Sequence, residues 1–306
     1  MSTEDALGPA RRFVHVCYCC ADADVVADFF CSALAMRNVM QTPLEPSPGA
    51  VLGMPGEIIS RAVFVYDHFG PRVSPGIEVQ QWSQPGVVGV PSTDPFEVGL
   101  KSIGYSVDDL QTSEAHLVAA GCTLVSQGAS PFGHRWSSVL DPRGVTLDLV
   151  QDGAHATQLR HVRLTCSNLA RSLAFYSALG FTTTASGDIT DAAFLGVTGA
   201  VSGRYHVVRL PDQPCELMLV QWLVPESHGR HYLEPNHAGI FRIAFGVDDT
   251  RSSYEAMSAN GTVFDRAPTA VELSGTTVPD MWICFLSDPD GVACELVQRP
   301  RSVFRQ

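Results

Sequence analysis

Four stretches of the chain mix branched, aromatic and polar positions in the way a half-buried strand does: FVHVCYC at 13–19, LKSIGYSV at 100–107, LRHVRLTC at 159–166 and IFRIAFGV at 240–247. Behind each lies a short polar segment, Ala21-Asp22-Ala23-Asp24, Asp108-Asp109, Ser167-Asn168 or Asp248-Asp249. Its side-chain oxygens suit the free N–H groups of a helix start. Apolar residues at helical spacing follow, as in Val26, Phe29, Phe30 and Leu34, or Leu173, Phe175, Tyr176 and Leu179, and Gly121, Gly180 and Gly261 stand where a helix would end. Further strand-like runs, such as RAVFVYD at 61–67 and YHVVRL at 205–210, lead to a five-residue ending that repeats: IEVQQ at 77–81, LDLVQ at 147–151, LMLVQ at 217–221 and CELVQ at 294–298. Two of these endings follow matching turns, Asp141-Pro142-Arg143-Gly144 and Asp288-Pro289-Asp290-Gly291. Every quarter therefore reads strand, helix, strands, and a repeat of this kind sets the architecture before any single element is assigned. The short polar segment DGAHAT at 152–157 separates the second quarter from the third, which predicts two domains, 11–151 and 158–299. Pro and Gly crowd residues 43–56 and 70–94, read as loops over a pocket.

Composition narrows the function. A hydrophobic content of 45% over 306 residues is ample for two cores. The net charge of -12 disfavours phosphate backbones and anionic lipid, so neither nucleic acid nor membrane is an expected partner. The opening MSTEDALGPA has neither a cationic start nor an apolar run, and a cytoplasmic protein is expected. The nine cysteines fall mostly in apolar segments, and the Cys17, Cys19, Cys20 cluster lacks the two C-x2-C pairs of a structural zinc site, so they read as small buried hydrophobes.

The run LRHVRLTCSNLARSLAFYSALGF at 159–181 resembles the opening of a glyoxalase or bleomycin-resistance domain, and SDPDGVACELVQ at 287–298 resembles its end. RRFVHVCYCCADADVVADFFCSALAM at 11–36 and LDPRGVTLDLVQ at 140–151 match more loosely. The chain is thus similar to the vicinal oxygen chelate superfamily of glyoxalases, bleomycin-resistance proteins and extradiol dioxygenases. The resemblance implies an α+β fold of two tandem domains, each of two βαβββ modules closing into a cup-shaped, partly closed barrel. It also implies metal ligands on the first and last strands of each module. Carried over by position, these are His15, Glu78, Ser102 and Asp148 in the first domain and His161, Met218, Arg242 and Glu295 in the second.

His15, Glu78 and Asp148 make a one-histidine, two-carboxylate set suited to Fe, Mn, Co or Zn as a divalent ion. Ser102 offers only a neutral hydroxyl at the fourth position. It and His134, a possible acid or base in PFGHRWSSVLD, are the candidate catalytic groups of the first domain. Arg242 cannot release its proton to become a ligand and is expected to pair with Glu295, which removes the second domain from metal binding. Cys17, on the face of His15, and Arg163, on that of His161, are expected to line the cavities with Trp82, Trp136, His161, Arg242 and Glu295. Two functions follow, beside a third reading in which both domains have only a structural or assembly role. One is a metal-assisted lyase, isomerase or dioxygenase acting on a small oxygenated metabolite in the first domain. The other is a metal-free protein of the bleomycin-resistance type that sequesters a drug-like or aromatic molecule. Either takes a small-molecule ligand, and assembly as a homodimer stays open.

Overall fold

The computed structural model describes residues 8–298 apart from 274, 277 and 279, so the opening MSTEDAL and residue 299 of the second expected domain lie outside the described residues. Four βαβββ modules follow one another. The first runs β1 (Ala10–Cys20), α1 (Ala23–Ala33), β2 (Arg37–Gln41), β3 (Glu45–Pro48), a 3-10 turn, β4 (Glu57–Tyr66) and β5 (Gly76–Gln84), where β3 is a short addition paired to β4. The second is β6 (Gly99–Ser106), α2 (Leu110–Ala119), β7 (Thr123–Ala129), β8 (Arg135–Leu140) and β9 (Thr146–Gln151). The third is β10 (Gln158–Thr165), α3 (Leu169–Leu179), β11 (Thr182–Ile189), a 3-10 turn at Ala193–Leu195, β12 (Ser202–Arg209) and β13 (Glu216–Val224). The fourth is β14 (Gly239–Val247), α4 (Thr250–Ala259), β15 (Phe264–Glu272), β16 (Asp280–Ser287) and β17 (Ala293–Gln298). Among the described residues no helix is long and apolar enough to cross a membrane.

Local chemistry accounts for the repeat. Asp22, Asp109, Asn168 and Asp249 each accept a hydrogen bond from the backbone N–H three residues on, so every polar segment caps its helix. Gly180 ends α3 in the left-handed region at φ 111°. The Gln that closes each module has a structural task. Gln81, Gln221 and Gln298 accept hydrogen bonds from Ala23, Leu169 and Thr250 at the helix starts, and Gln151 donates to the Asp108 carbonyl. The last strand is thereby pinned to the first turn of its own module's helix. The turns at Asp141 and Asp288 also tie modules together, through Tyr18 to Asp141 at 2.6 Å and Tyr176 to Asp288 at 3.1 Å.

The modules pair into two curled sheets. The first has the order β15-β16-β17-β14-β1-β5-β4-β2 and the second β11-β12-β13-β10-β6-β9-β8-β7. Module one therefore shares a sheet with module four, and module two with module three. The four modules and two cups match the expected fold, but each cup takes one module from either side of the 152–157 segment. β1 runs antiparallel to β14 with Cys17 opposite Arg242, and β6 runs antiparallel to β10 with Ser102 opposite Arg163. Two long connectors, 85–98 and 225–238, cross between the sheets side by side, joined by Val88 to Asn236 and Ala238 and by His228 to Phe96 and Val98. A single large core built from all four modules, with Phe13, Tyr18, Phe30, Tyr105, Tyr176 and Phe245 among its members, packs the helices against the backs of the sheets.

Candidate functional site

The pairing of modules one and four puts His15 of β1, Glu78 of β5, Arg242 of β14 and Glu295 of β17 together on the floor of the first cup. All four are at most 6% exposed. His15 Nε2 lies 3.2 Å from Glu78 Oε2 and 3.4 Å from Glu295 Oε2, yet neither ring nitrogen has a well-formed hydrogen bond. Arg242 donates from Nη2 to Glu78 Oε2 at 2.6 Å and from Nε to Glu295 Oε2 at 3.1 Å. Above them opens a cavity of about 370 Å³ walled by Val51, Phe64, Val271, Met281 and Ile283, with Gln80 as a further polar group.

Electrostatics bind this quartet. Burial alone would lower the pKa of His15, but Glu78 and Glu295 outweigh it and lift the imidazole above its ordinary 6.5. Burial alone would raise Glu78, and the charges of Arg242 and His15 instead bring it from 4.5 to about 2. A raised His contributes stability that is complete below its unfolded pKa and disappears as pH rises through the folded value. A depressed Glu contributes stability that is complete above its unfolded pKa and disappears as pH falls toward the folded value. The metal-free protein should therefore gain most from this network between about pH 4.5 and 6.5, a window that thermal melts across pH would display. His15→Gln should flatten the alkaline decline, and a wild-type melt that is already flat there means the imidazole stays neutral.

His15, Glu78 and Glu295 also meet the demands of a cation. Their donor atoms all lie within 4.8 Å of one another, and no second such group occurs among the described residues. Ligands about 2.0–2.2 Å from one ion stand roughly 3–3.5 Å apart, close to the separations of His15 Nε2 from the two carboxylates. Arg242 holds the same Oε2 atoms, so a bound metal must displace it from at least one of them.

Asp148 takes no part in this set, contrary to expectation, because its strand belongs to the other sheet. There it is fully buried and enclosed by Ser102 Oγ, by Ser138 Oγ at 2.6 Å, by Arg163 Nε at 3.3 Å and by His161 Nε2 at 3.5 Å. Burial would raise its pKa, but Arg163, His161 and the Ser102 hydrogen bond hold it below the usual carboxylate range. Burial lowers His161 despite Asp148. A Cβ at Gly104 would overlap the imidazole, so glycine is what lets His161 lie against β6. Met218, Trp136, Phe194, Tyr205 and Trp222 fill the rest of this second cup.

The other candidates divide between the cups. Arg242 does pair with Glu295, but in the same cup as His15 and Glu78 rather than in a separate domain. Ser102 bonds only to Asp148 and lies far in sequence and in a different sheet from His15. His134 sits half-buried on the loop between β7 and β8 and lines neither the first cavity nor the pocket beside Arg163. Cys17 and Trp82 pack with Ile58 and Phe241 behind the floor, and burial pushes the Cys17 thiol up. All nine cysteines are free. Trp136 lies 5.0 Å from the His161 ring in the second cup. Ser138 and Lys101 escaped the sequence reading; the alternation of β8 would have placed Ser138 on the inward face with Trp136.

The sequence model of the Glyoxalase/Bleomycin resistance protein/Dioxygenase superfamily matches residues 158–296. No curated protein matches this sequence. Among solved structures the chain is similar to glyoxalase I from Zea mays, with a TM-score of 0.71 and 18% identity over 94% of this chain and 92% of that one. It is also similar to a candidate dioxygenase from Bacillus subtilis subsp. subtilis str. 168, with a TM-score of 0.61 and 12% identity over 96% of this chain and 86% of the other. Likeness at these identities concerns the fold. Residues 158–296 thus carry the sequence signature of the glyoxalase, bleomycin-resistance and dioxygenase superfamily, the same module is repeated in the first half, and nearly the whole chain shares its fold with glyoxalase I from Zea mays.

Proposed function

We propose that the protein is a cytoplasmic enzyme in which His15, Glu78 and Glu295 hold a divalent metal, Fe, Mn, Co or Zn, for a lyase, isomerase or dioxygenase step on a small oxygenated organic molecule. The observation that supports this most is the convergence of those three donors on the floor of a cavity of about 370 Å³, within the size range of small-molecule sites. When bound, the ion supplies Lewis-acid stabilisation of negative charge on substrate oxygens. The protein supplies the rest. The walls of Val51, Phe64, Met281 and Ile283 exclude water from the floor. Arg242, once released from a carboxylate, directs its N–H groups at a substrate oxyanion, and Gln80 offers an amide to orient it.

Metal uptake requires His15 in its neutral form, so it should strengthen as pH rises through the raised pKa of that group. At a hundredfold excess over Kd a metal adds about 2.7 kcal/mol to stability, which is visible as a shift in Tm of several degrees. Melts with and without each metal, beside elemental analysis of protein purified without chelator, test the reading. His15→Ala should remove most of the shift. If no metal copurifies and none moves the melt, the hydrogen bonds from Arg242 to both carboxylates favour the second reading, a metal-free cup that binds an anionic or aromatic molecule through the guanidinium.

A further inference from the structure

A second cavity of about 230 Å³ opens on the other sheet, between the connector at Ser92–Pro95 and the 3-10 turn at Ala193–Leu195. Its polar wall consists of Ser92, Thr93, Lys101, Ser138, Thr146 and Arg163. Lys101 and Arg163 are only 6% and 4% exposed. Burying an ammonium group is costly unless it is paired. Lys101 is paired loosely: among the described residues its Nζ donates to the Asp94 carbonyl at 3.3 Å and lies 3.8 Å from the partly exposed Glu97 carboxylate, with the charge of Asp94 also acting on it. Arg163 reaches Asp148, which already accepts from Ser102 and Ser138.

The backbone does not demand a lysine here. The register of β6 against β10 passes from Ser102 opposite Arg163 to Leu100 opposite Leu164, leaving Lys101 as the extra residue of a β-bulge. The same bulge recurs where β14 meets β1, passing from Arg242 opposite Cys17 to Ile240 opposite Tyr18, and there the extra residue is Phe241, packed among apolar side chains. One bulge is thus met by a ring and its counterpart by a buried cation facing a second cation across a pocket rimmed with hydroxyls.

We infer that this pocket binds a small oxyanion, with a carboxylate or phosphate group seated between Lys101 and Arg163 and hydrogen-bonded by the surrounding hydroxyls. The volume suits a molecule of a few carbon atoms or free phosphate. An anion there would relieve the repulsion between the two cations. Burial, aided by the charge of Arg163 and opposed by the carboxylates of Glu97 and Asp94, lowers the Lys101 ammonium to about 8, with His231 also within reach of its charge and held neutral by its own burial, so occupancy should weaken as pH rises through that value. The site is separate from the metal cup and does not depend on it.

Calorimetric titration of the full chain with succinate and with inorganic phosphate, at constant ionic strength set with chloride, tests the assignment. Saturable one-site binding of either is expected, and which of the two binds tells a carboxylate site from a phosphate site. Lys101→Met should weaken binding about tenfold or more, as loss of a charged hydrogen bond does. Lys101→Arg should keep most of it, and Glu295→Gln, in the other cup, should leave it unchanged. The inference is overturned if neither anion saturates, or if Lys101→Met binds as well as the wild type. If that variant does not fold, the wild type decides: an affinity for whichever of the two anions binds that is the same below and above pH 8 overturns the assignment.

Discussion

Arg242→Met should destabilise the metal-free protein by about 3–5 kcal/mol, the usual loss when one partner of a buried ionic network is removed. Methionine replaces most of the length of the side chain, so the effect measures charge rather than volume. What remains is Glu78 and Glu295 facing each other with His15 between them, all buried, and with the more distant charge of Arg266 acting on Glu295. Glu78 is brought down largely by Arg242, so in the variant its pKa should climb. The stability deficit should accordingly shrink as the solution is acidified. A divalent metal should reverse it too, because the variant keeps all three donors and has lost the group that competes for them. Urea unfolding with and without metal provides the measurement. A variant as stable as the wild type without metal would show that the guanidinium does not hold the floor together.

Asp148→Ala should be comparably costly, about 3–5 kcal/mol, and for the same reason in the second cup: Arg163 would be left buried without its carboxylate. Asp148→Asn should cost less, since an amide oxygen can still accept from Ser102 and Ser138. The two cups part company in their response to metal. Any gain in melting temperature from metal should survive in Asp148→Ala and vanish in His15→Ala. Loss of that gain in Asp148→Ala with its retention in His15→Ala would move the metal to the second sheet.

The modules are legible in the sequence because several independent features coincide in each: a strand-like run, a capping Asp or Asn, an apolar helical stripe and a closing Gln that bonds back to the helix start. Which modules share a cup is not legible from those features. β1, β6, β10 and β14 carry similar patterns and offer similar edges, and alternation specifies a face without naming a partner. Connector length did hold the answer. The segment 152–157 spans at most about 20 Å, which suits two neighbouring modules of one sheet, whereas 85–98 and 225–238 are more than twice as long and lead from one sheet to the other. Reading 152–157 as a divide between cups assigned Asp148 to His15 and Glu78, and Glu295 to a separate pocket. Ion-pairing chemistry alone was enough to predict Arg242 beside Glu295. Lys101 was invisible for a different reason: in a regular strand it would point away from Ser102, and only the bulge turns it inward.

The module pairing gives the chain the form of one bracket inside another. Residues 99–224 form the inner pair, closed by short-range connections, while the outer pair waits for the two extremities to meet. During synthesis the inner cup can close while β14–β17 are still being made, and β1, whose other edge pairs only with β14, must meanwhile keep that edge out of trouble. The proposed metal floor is thus completed after the inner cup. A chain that stops between β14 and β17 presents His15, Glu78 and Arg242 without Glu295, so synthesis through β17 is a precondition of the proposed chemistry and not merely of stability.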